Sequence, residues 1–251
     1  MNTEWRERFY GAYASSAACN EYAWSEDEYR LFSRVNERRY LGLLPADRQA
    51  RILDVACGAG HFLYFLQKTA GFSNAEGIDI SAEQTGLAEK MGLSNLVTGD
   101  FMAHLGSNPE RYDLITAHHF IEHLNKAEAL DFLEAVKGAL KPGGRVIVTT
   151  GNVGSLFGAS HICSDFTHEG GFTARSLGQL LKTMDFQGVE IKGLGPVAYD
   201  LRSRIRLVLW KMIRNAIGFY LSVERGRGRA KERPETVLEL DILGTGAKRR
   251  G

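Results

Sequence analysis

The sequence predicts an α/β protein, a single mostly parallel sheet with helices on both faces. Three observations carry that prediction. From Arg51 onward, short apolar runs alternate with stretches of helical periodicity, as in consecutive strand–helix units. The first run, Ile52-Leu53-Asp54-Val55, leads into a Gly-x-Gly turn at Gly58 and Gly60 that opens a helix. Two later runs close on acids, Asp79 and Asp100, at the strand ends where open sheets of this kind bind ligands.

Taken in order, residues 1–45 read as helical and rich in aromatic side chains, among them Tyr10, Tyr13, Tyr29 and Tyr40, which suit packing against the sheet. Ile52 to Ala56 is the first strand and His61 to Thr69 its helix. Ala75 to Ile80 is the second strand; Ser81 then caps a helix, with Gln84 at the third position of a capping box. Leu96 to Phe101 and Tyr112 to Ala117 are strands three and four. A helix from Ala127 to Leu140 stops at Lys141-Pro142-Gly143-Gly144, before strand five at Arg145 to Thr150. Ser176 to Met184 is helical, Gly188 to Lys192 is strand six, and the period-two stretch Val237 to Leu243 is the last strand.

Composition bounds the function. At 251 residues, 44% hydrophobic and 24% charged with net charge +1, the chain suits one large globular domain and lacks the basic footprint of a nucleic-acid binder. Three cysteines, odd in number and unevenly spaced, argue for a reducing compartment without a disulfide frame. The first residues carry no apolar run of a secretory signal, and no uncharged stretch is long enough to span a bilayer, so a cytoplasmic location is expected.

The acids select the ligand. A carboxylate at Asp54 opposes a bound phosphate and attracts a ligand bearing an ammonium and a sulfonium. The third glycine of a dinucleotide fingerprint is absent, with Leu63 in its place, which disfavours a nicotinamide oxidoreductase. Five motifs in order over residues 51–150 resemble those of class I S-adenosylmethionine-dependent methyltransferases. That resemblance implies a Rossmann-like, seven-stranded sheet in the order 3-2-1-4-5-7-6 and S-adenosylmethionine as cofactor. It implies that Gly58 and Gly60 line the methionine portion beside Asp54, and that Asp79 holds the ribose hydroxyls. Asp100 would accept the adenine amino group, Ile80 and Phe101 would pack near the ring, and His118 would line the same pocket. The family also favours residues 1–45 as a lid, with Tyr10 or Tyr13 at the methionine end, in front of a core over 46–201.

Catalytic candidates cluster after strand four. His119, Glu122 and His123 are spaced i, i+3, i+4 and could share one helical face. Quinone-forming and RNA-end O-methyltransferases carry Glu-x-x-Glu-His at this place, which in some members binds a divalent cation. Here His119 replaces the first Glu, which disfavours Mg²⁺ and leaves a softer ion or a metal-free histidine base as alternatives; no metal ligand is assigned. A second cluster, Ser164 to Glu169 followed by Phe172-Thr173, resembles the Asp-x-Thr-His loop of bacterial methyltransferases of polysaccharide and lipid-linked sugar assembly. In that resemblance His168 faces the acceptor, and the preferred expectation is a sugar hydroxyl on a bacterial surface glycan or its lipid-linked precursor; the alternative, suggested by the motif after strand four, is a quinone-type phenol or other small molecule.

From Arg202 to Tyr220 the chain reads as an amphipathic helix within a basic insertion over 202–234, ahead of a last strand and tail over 235–251. Residues 202–233 hold ten Lys/Arg against two Glu, about +8, so the remainder is about −7. The helix suits the plane of an anionic membrane, with Trp210 among its anchors, or else its apolar face packs on the sheet or on a second subunit in a homodimer. A non-catalytic cofactor-binding module is a third reading, against which the intact Asp54, Asp79 and Asp100 count.

Overall fold

The structure, a computed structural model, describes residue 9, residues 25–225 and residues 237–250. The expectations for Tyr10 and Tyr13 and for the basic loop after Arg225 lie outside these residues. Seven strands, β1 (Ile52–Val55), β2 (Ala75–Asp79), β3 (Leu96–Thr98), β4 (Tyr112–His118), β5 (Leu140–Gly151), β6 (Gln187–Gly193) and β7 (Asp241–Ala247), form one sheet in the order β3-β2-β1-β4-β5-β7-β6. The order matches the expectation from the sequence. Only β7 runs antiparallel, between β5 and β6.

The central strands are apolar on both faces because helices cover both. Leu53, Val55, Ile115, Ala117, Val146 and Val148 meet Phe132, Leu133 and Val136 of helix α5 (Lys126–Ala139) on one side. Ile52, Leu114 and Ile147 meet Phe62, Phe65 and Leu66 on the other. Those three belong to α2 (His61–Tyr64), which continues as a π-helical turn over Phe65–Thr69. Helix α1 (Glu26–Tyr40), which precedes β1 in the chain and packs on α2 and its π-helical turn, is opened by a capping box between Ser25 and Glu28. The remaining helices are α3 (Ala82–Lys90), α4 (Phe101–Gly106), α6 (Gly158–Ile162), α7 (Ala174–Thr183) and α8 (Leu201–Arg225).

Several boundaries differ from the sequence expectation, each for a local reason. β3 stops at Thr98, because Asp100 caps α4 by accepting from the Ala103 N–H at 2.7 Å; Phe101 therefore opens a helix. The capping box at α3 is half formed: Ser81 Oγ accepts from Gln84 N, but the Ser81 N–H goes to Asp79 Oδ1 at 2.9 Å. The last strand begins at Asp241 instead of Val237. A Cβ at Gly244 would lie 2.8 Å from Leu181, 3.0 Å from Ile191 and 3.1 Å from Leu177, so α7 reaches the sheet only where the strand carries glycine.

Helix α8 keeps an exposed apolar side and departs from expectation at one residue, Trp210. Ile205, Val208, Leu209, Met212, Ile213, Phe219 and Tyr220 are exposed, so its apolar residues do not pack on the sheet. Trp210, expected as an outward anchor, instead donates its indole N–H to the buried Glu239 carboxylate at 3.3 Å, and Arg214 stands 3.7 Å from the same oxygen. A buried acid needs such partners. Among the described residues, no helix is long and apolar enough to cross a membrane.

Candidate active site

The loop after β1 turns on three left-handed residues, Ala56 (φ 53°), Gly58 (φ 54°) and Gly60 (φ 80°). Gly60 excludes a side chain on two counts, its left-handed φ and the space around it, since a Cβ there would come 2.6 Å from Leu93 and 3.0 Å from Ala88. At Gly58 the nearest neighbour of a Cβ is Gln84 Oε1 at 3.7 Å, a buried acceptor that makes no hydrogen bond. The loop is held from two sides. Asp79 accepts from the Gly58 N–H at 2.8 Å, and Tyr29 of α1 donates its hydroxyl to the Ala59 carbonyl at 2.6 Å. Tyr29 is fully buried and stacks on His61 with ring centroids 4.2 Å apart. Burial pushes its phenol up to about 12 and His61 down to about 4, so both are neutral at pH 7.

Asp54 lies below this loop, 2% exposed, accepting from the Thr116 hydroxyl at 2.7 Å. Burial outweighs that hydrogen bond, with Asp79 adding to it, and raises the Asp54 carboxyl to about 7. Burial also raises Asp79, against the N–H bonds from Ser81, Gly58 and Ile80. Two acids under strain as anions, beside an open glycine and an unpaired amide oxygen, fit a cationic cofactor. Further along the edge, Asp100 is an exposed helix cap and Ile80 is 56% exposed. Phe101 stands edge-on to Phe120 at 4.9 Å and packs against the core, with Ile80 left open to solvent.

The histidines after β4 separate into three environments. His118 is wedged between Phe62 (4.1 Å) and Tyr40 (5.2 Å), with Nδ1 3.2 Å from Thr149 Oγ1 and a buried Nε2 that makes no hydrogen bond. Burial, then His119, lowers it to about 3, so it is neutral. His119 takes a left-handed backbone (φ 49°), and only Ile121–His123 follows as a single 3₁₀ turn. The shared helical face expected for His119, Glu122 and His123 therefore does not form. His119 Nδ1 lies 3.3 Å from Glu122 Oε1, and its Nε2 faces Asp241 at 4.0 Å. Burial acts to lower His119, but Glu122 outweighs it and the imidazole is raised. Glu122, itself 1% exposed, is lowered by His119 despite its own burial.

His123 turns to the loop after β5. The Thr167 hydroxyl donates to Asp165 Oδ1 at 2.7 Å, leaving its lone pairs to accept Nδ1–H of His123 at 2.9 Å. Burial lowers His123. His168 donates Nδ1–H to the Ile162 carbonyl at 2.6 Å and stands 4.6 Å, ring to ring, from His123. The Glu169 N–H donates to the Glu122 carbonyl at 2.8 Å, which ties this loop to the 3₁₀ turn. Among the described residues, two groups bring ligand-type atoms within 4.8 Å of one another: His119, His161 and Asp241, and His123, Asp165 and His168. Neither unites His119, Glu122 and His123, so these three do not fit the divalent cation of the Glu-x-x-Glu-His pattern.

Thr116, Thr149, His161 and Asp241 enter the site without having been singled out from the sequence, and Tyr29, expected to pack against the sheet, clasps the glycine loop instead. A tyrosine in an aromatic-rich helix and an acid opening a strand carry no local signal, because their partners are distant in the chain.

Comparison with known proteins places these features in context. The family described as "Methyltransferase domain" matches residues 23–191. A ubiquinone biosynthesis O-methyltransferase of Paraburkholderia phytofirmans is 29% identical over 57% of this chain and 67% of its own length. One from Klebsiella pneumoniae is 27% identical over 51% of this chain, which spans only 54% of that relative. The crystal structure of a SAM-dependent methyltransferase from Archaeoglobus fulgidus shares the fold, with TM-score 0.62 over 89% of this chain and 97% of that one at 21% identity.

Proposed function

Since the chain belongs to the methyltransferase domain family and is an S-adenosylmethionine-dependent enzyme, we propose that it methylates a hydroxyl of a small-molecule acceptor, a quinone-type phenol. When bound, S-adenosylmethionine supplies an electrophilic methyl group, so the protein has to align the acceptor, exclude water and take one proton. Gly58, Gly60, Asp54 and Asp79 hold the cofactor, with Asp100, Ile80 and Phe101 towards its adenine end and His118 beneath. Helix α1 closes on the glycine loop through Tyr29, the described part of the lid expected over this end of the chain. Alignment supplies about 7–11 kcal/mol of the barrier.

The observation that carries the acceptor assignment is His119. Its Nδ1 is directed at a buried carboxylate, 3.3 Å away, and its side chain is 47% exposed, so Nε2 is the atom that can accept the hydroxyl proton. Such a base is worth about 10²–10⁴-fold. A phenol, with a pKa of about 10, is within reach of an imidazole, and an aliphatic sugar hydroxyl is a far weaker acid. The names of the relatives support the same choice over a glycan. His123 and His168, linked through the loop at 165–168, shape the acceptor side of the site.

Helix α8 gives the enzyme a place to meet a lipid-soluble acceptor. Its exposed apolar residues lie among Arg202, Arg204, Arg206 and Lys211, a complement to an anionic membrane surface. The test of the acceptor is incubation with labelled S-adenosylmethionine and separate pools of quinone precursors, glycolipids and polysaccharides, with the label located by mass spectrometry. Label confined to sugar would replace the phenol reading.

A further inference from the structure

The geometry points to a binding site for a divalent transition ion such as Zn²⁺, built from His119, His161 and Asp241. The three come from the turn after β4, from α6 and from the first residue of β7, segments far apart in the chain. Their ligand atoms lie within 4.8 Å of one another, with His161 Nε2 3.5 Å and His119 Nε2 4.0 Å from the same Asp241 oxygen. That oxygen is buried and makes no hydrogen bond. Behind the site, Glu122 holds His119 by Nδ1 at 3.3 Å, the carboxylate–histidine arrangement that orients metal-binding imidazoles. Its second oxygen is also buried without a hydrogen bond.

Two imidazoles and one carboxylate prefer a nitrogen-loving ion of the Zn²⁺ or Co²⁺ type to Mg²⁺. Three protein ligands leave a coordination position open. The site deepens the proposed O-methylation, on which this role rests: a phenol bound there would release its proton to solvent water and stay as the phenolate against the ion's charge, and His119, its Nε2 holding the ion, would serve as ligand and not as base.

The test does not use methyl transfer, so its failure would leave the O-methylation reading standing. Protein stripped with a chelator is titrated with Co²⁺, whose ligand-field absorption reports nitrogen and oxygen coordination, and Zn²⁺ is then added as competitor. One Co²⁺ per chain, displaced by Zn²⁺, is expected. His161→Ala and Asp241→Asn should each weaken binding about 10-fold or more, whereas His168→Ala, in the neighbouring cluster, should leave it unchanged. His161 is exposed, and an unaltered melting temperature would show that its variant folds. No binding at millimolar Co²⁺, binding undiminished in both variants, or loss in His168→Ala instead, would overturn the assignment.

Discussion

Asp54 should couple cofactor binding to proton release. Its carboxyl is 2% exposed and raised from 3.8 to about 7, chiefly by burial. A rise of about three units at about 1.4 kcal/mol each means that ionising Asp54 in the ligand-free fold costs about 4 kcal/mol. With the folded pKa above the unfolded one, the folded chain keeps a proton that the unfolded chain has lost. Asp54 therefore stabilises the ligand-free protein below about pH 4 relative to high pH, and that contribution declines from about pH 4 to about pH 7. A cationic ligand reverses the preference by pairing with the anion and expelling the proton. Affinity for S-adenosylmethionine should then rise with pH by up to about tenfold per unit below pH 7, with about one proton released per chain near pH 6. Calorimetry in buffers of different ionisation enthalpy counts that proton. Asp54→Asn should remove it from the count, weaken binding at pH 8, and stabilise the ligand-free fold there by up to about 4 kcal/mol. An identical pH slope and proton count in the Asn variant would refute the reasoning.

Three further expectations follow from the same geometry. Asp79→Ala should weaken S-adenosylmethionine binding by about 1.5–3 kcal/mol, the scale for hydrogen bonds to a charged group; unchanged affinity by calorimetry would move the ribose site elsewhere. His119→Ala should cut turnover on the true acceptor by about 10²–10⁴-fold while cofactor affinity is kept, because a base acts only on the reacting proton; a near-normal rate would remove it from that role. Sedimentation with vesicles should show binding that increases with anionic lipid, decreases with salt and is lost in Leu209→Asp. No binding at any composition, with a dimer dissolved by that substitution, would make α8 a subunit interface.

What the sequence by itself determined is the sheet, its strand order through the family's motifs, and the acids within β1, at the end of β2 and just past β3. Those features are written in neighbouring residues: apolar runs that can be buried on both faces, glycines where φ must be positive, and a side chain such as Asp100 that caps the helix beginning next to it. The amphipathic period of α8 was equally visible, but not that Trp210 turns inward to Glu239 while Leu209 faces out, since both lie on or beside the apolar stripe. The tertiary structure alone decided the rest of the site. A left-handed His119 breaks the helical spacing that would have joined it to His123, and sends the two imidazoles to different partners. Crossover connections bring His161 and Asp241 beside His119, and α1 brings Tyr29 onto the Gly58–Gly60 loop. Periodicity and turn chemistry act over a few residues, whereas the convergence of side chains from separate strands depends on how the packed layers set their ends side by side.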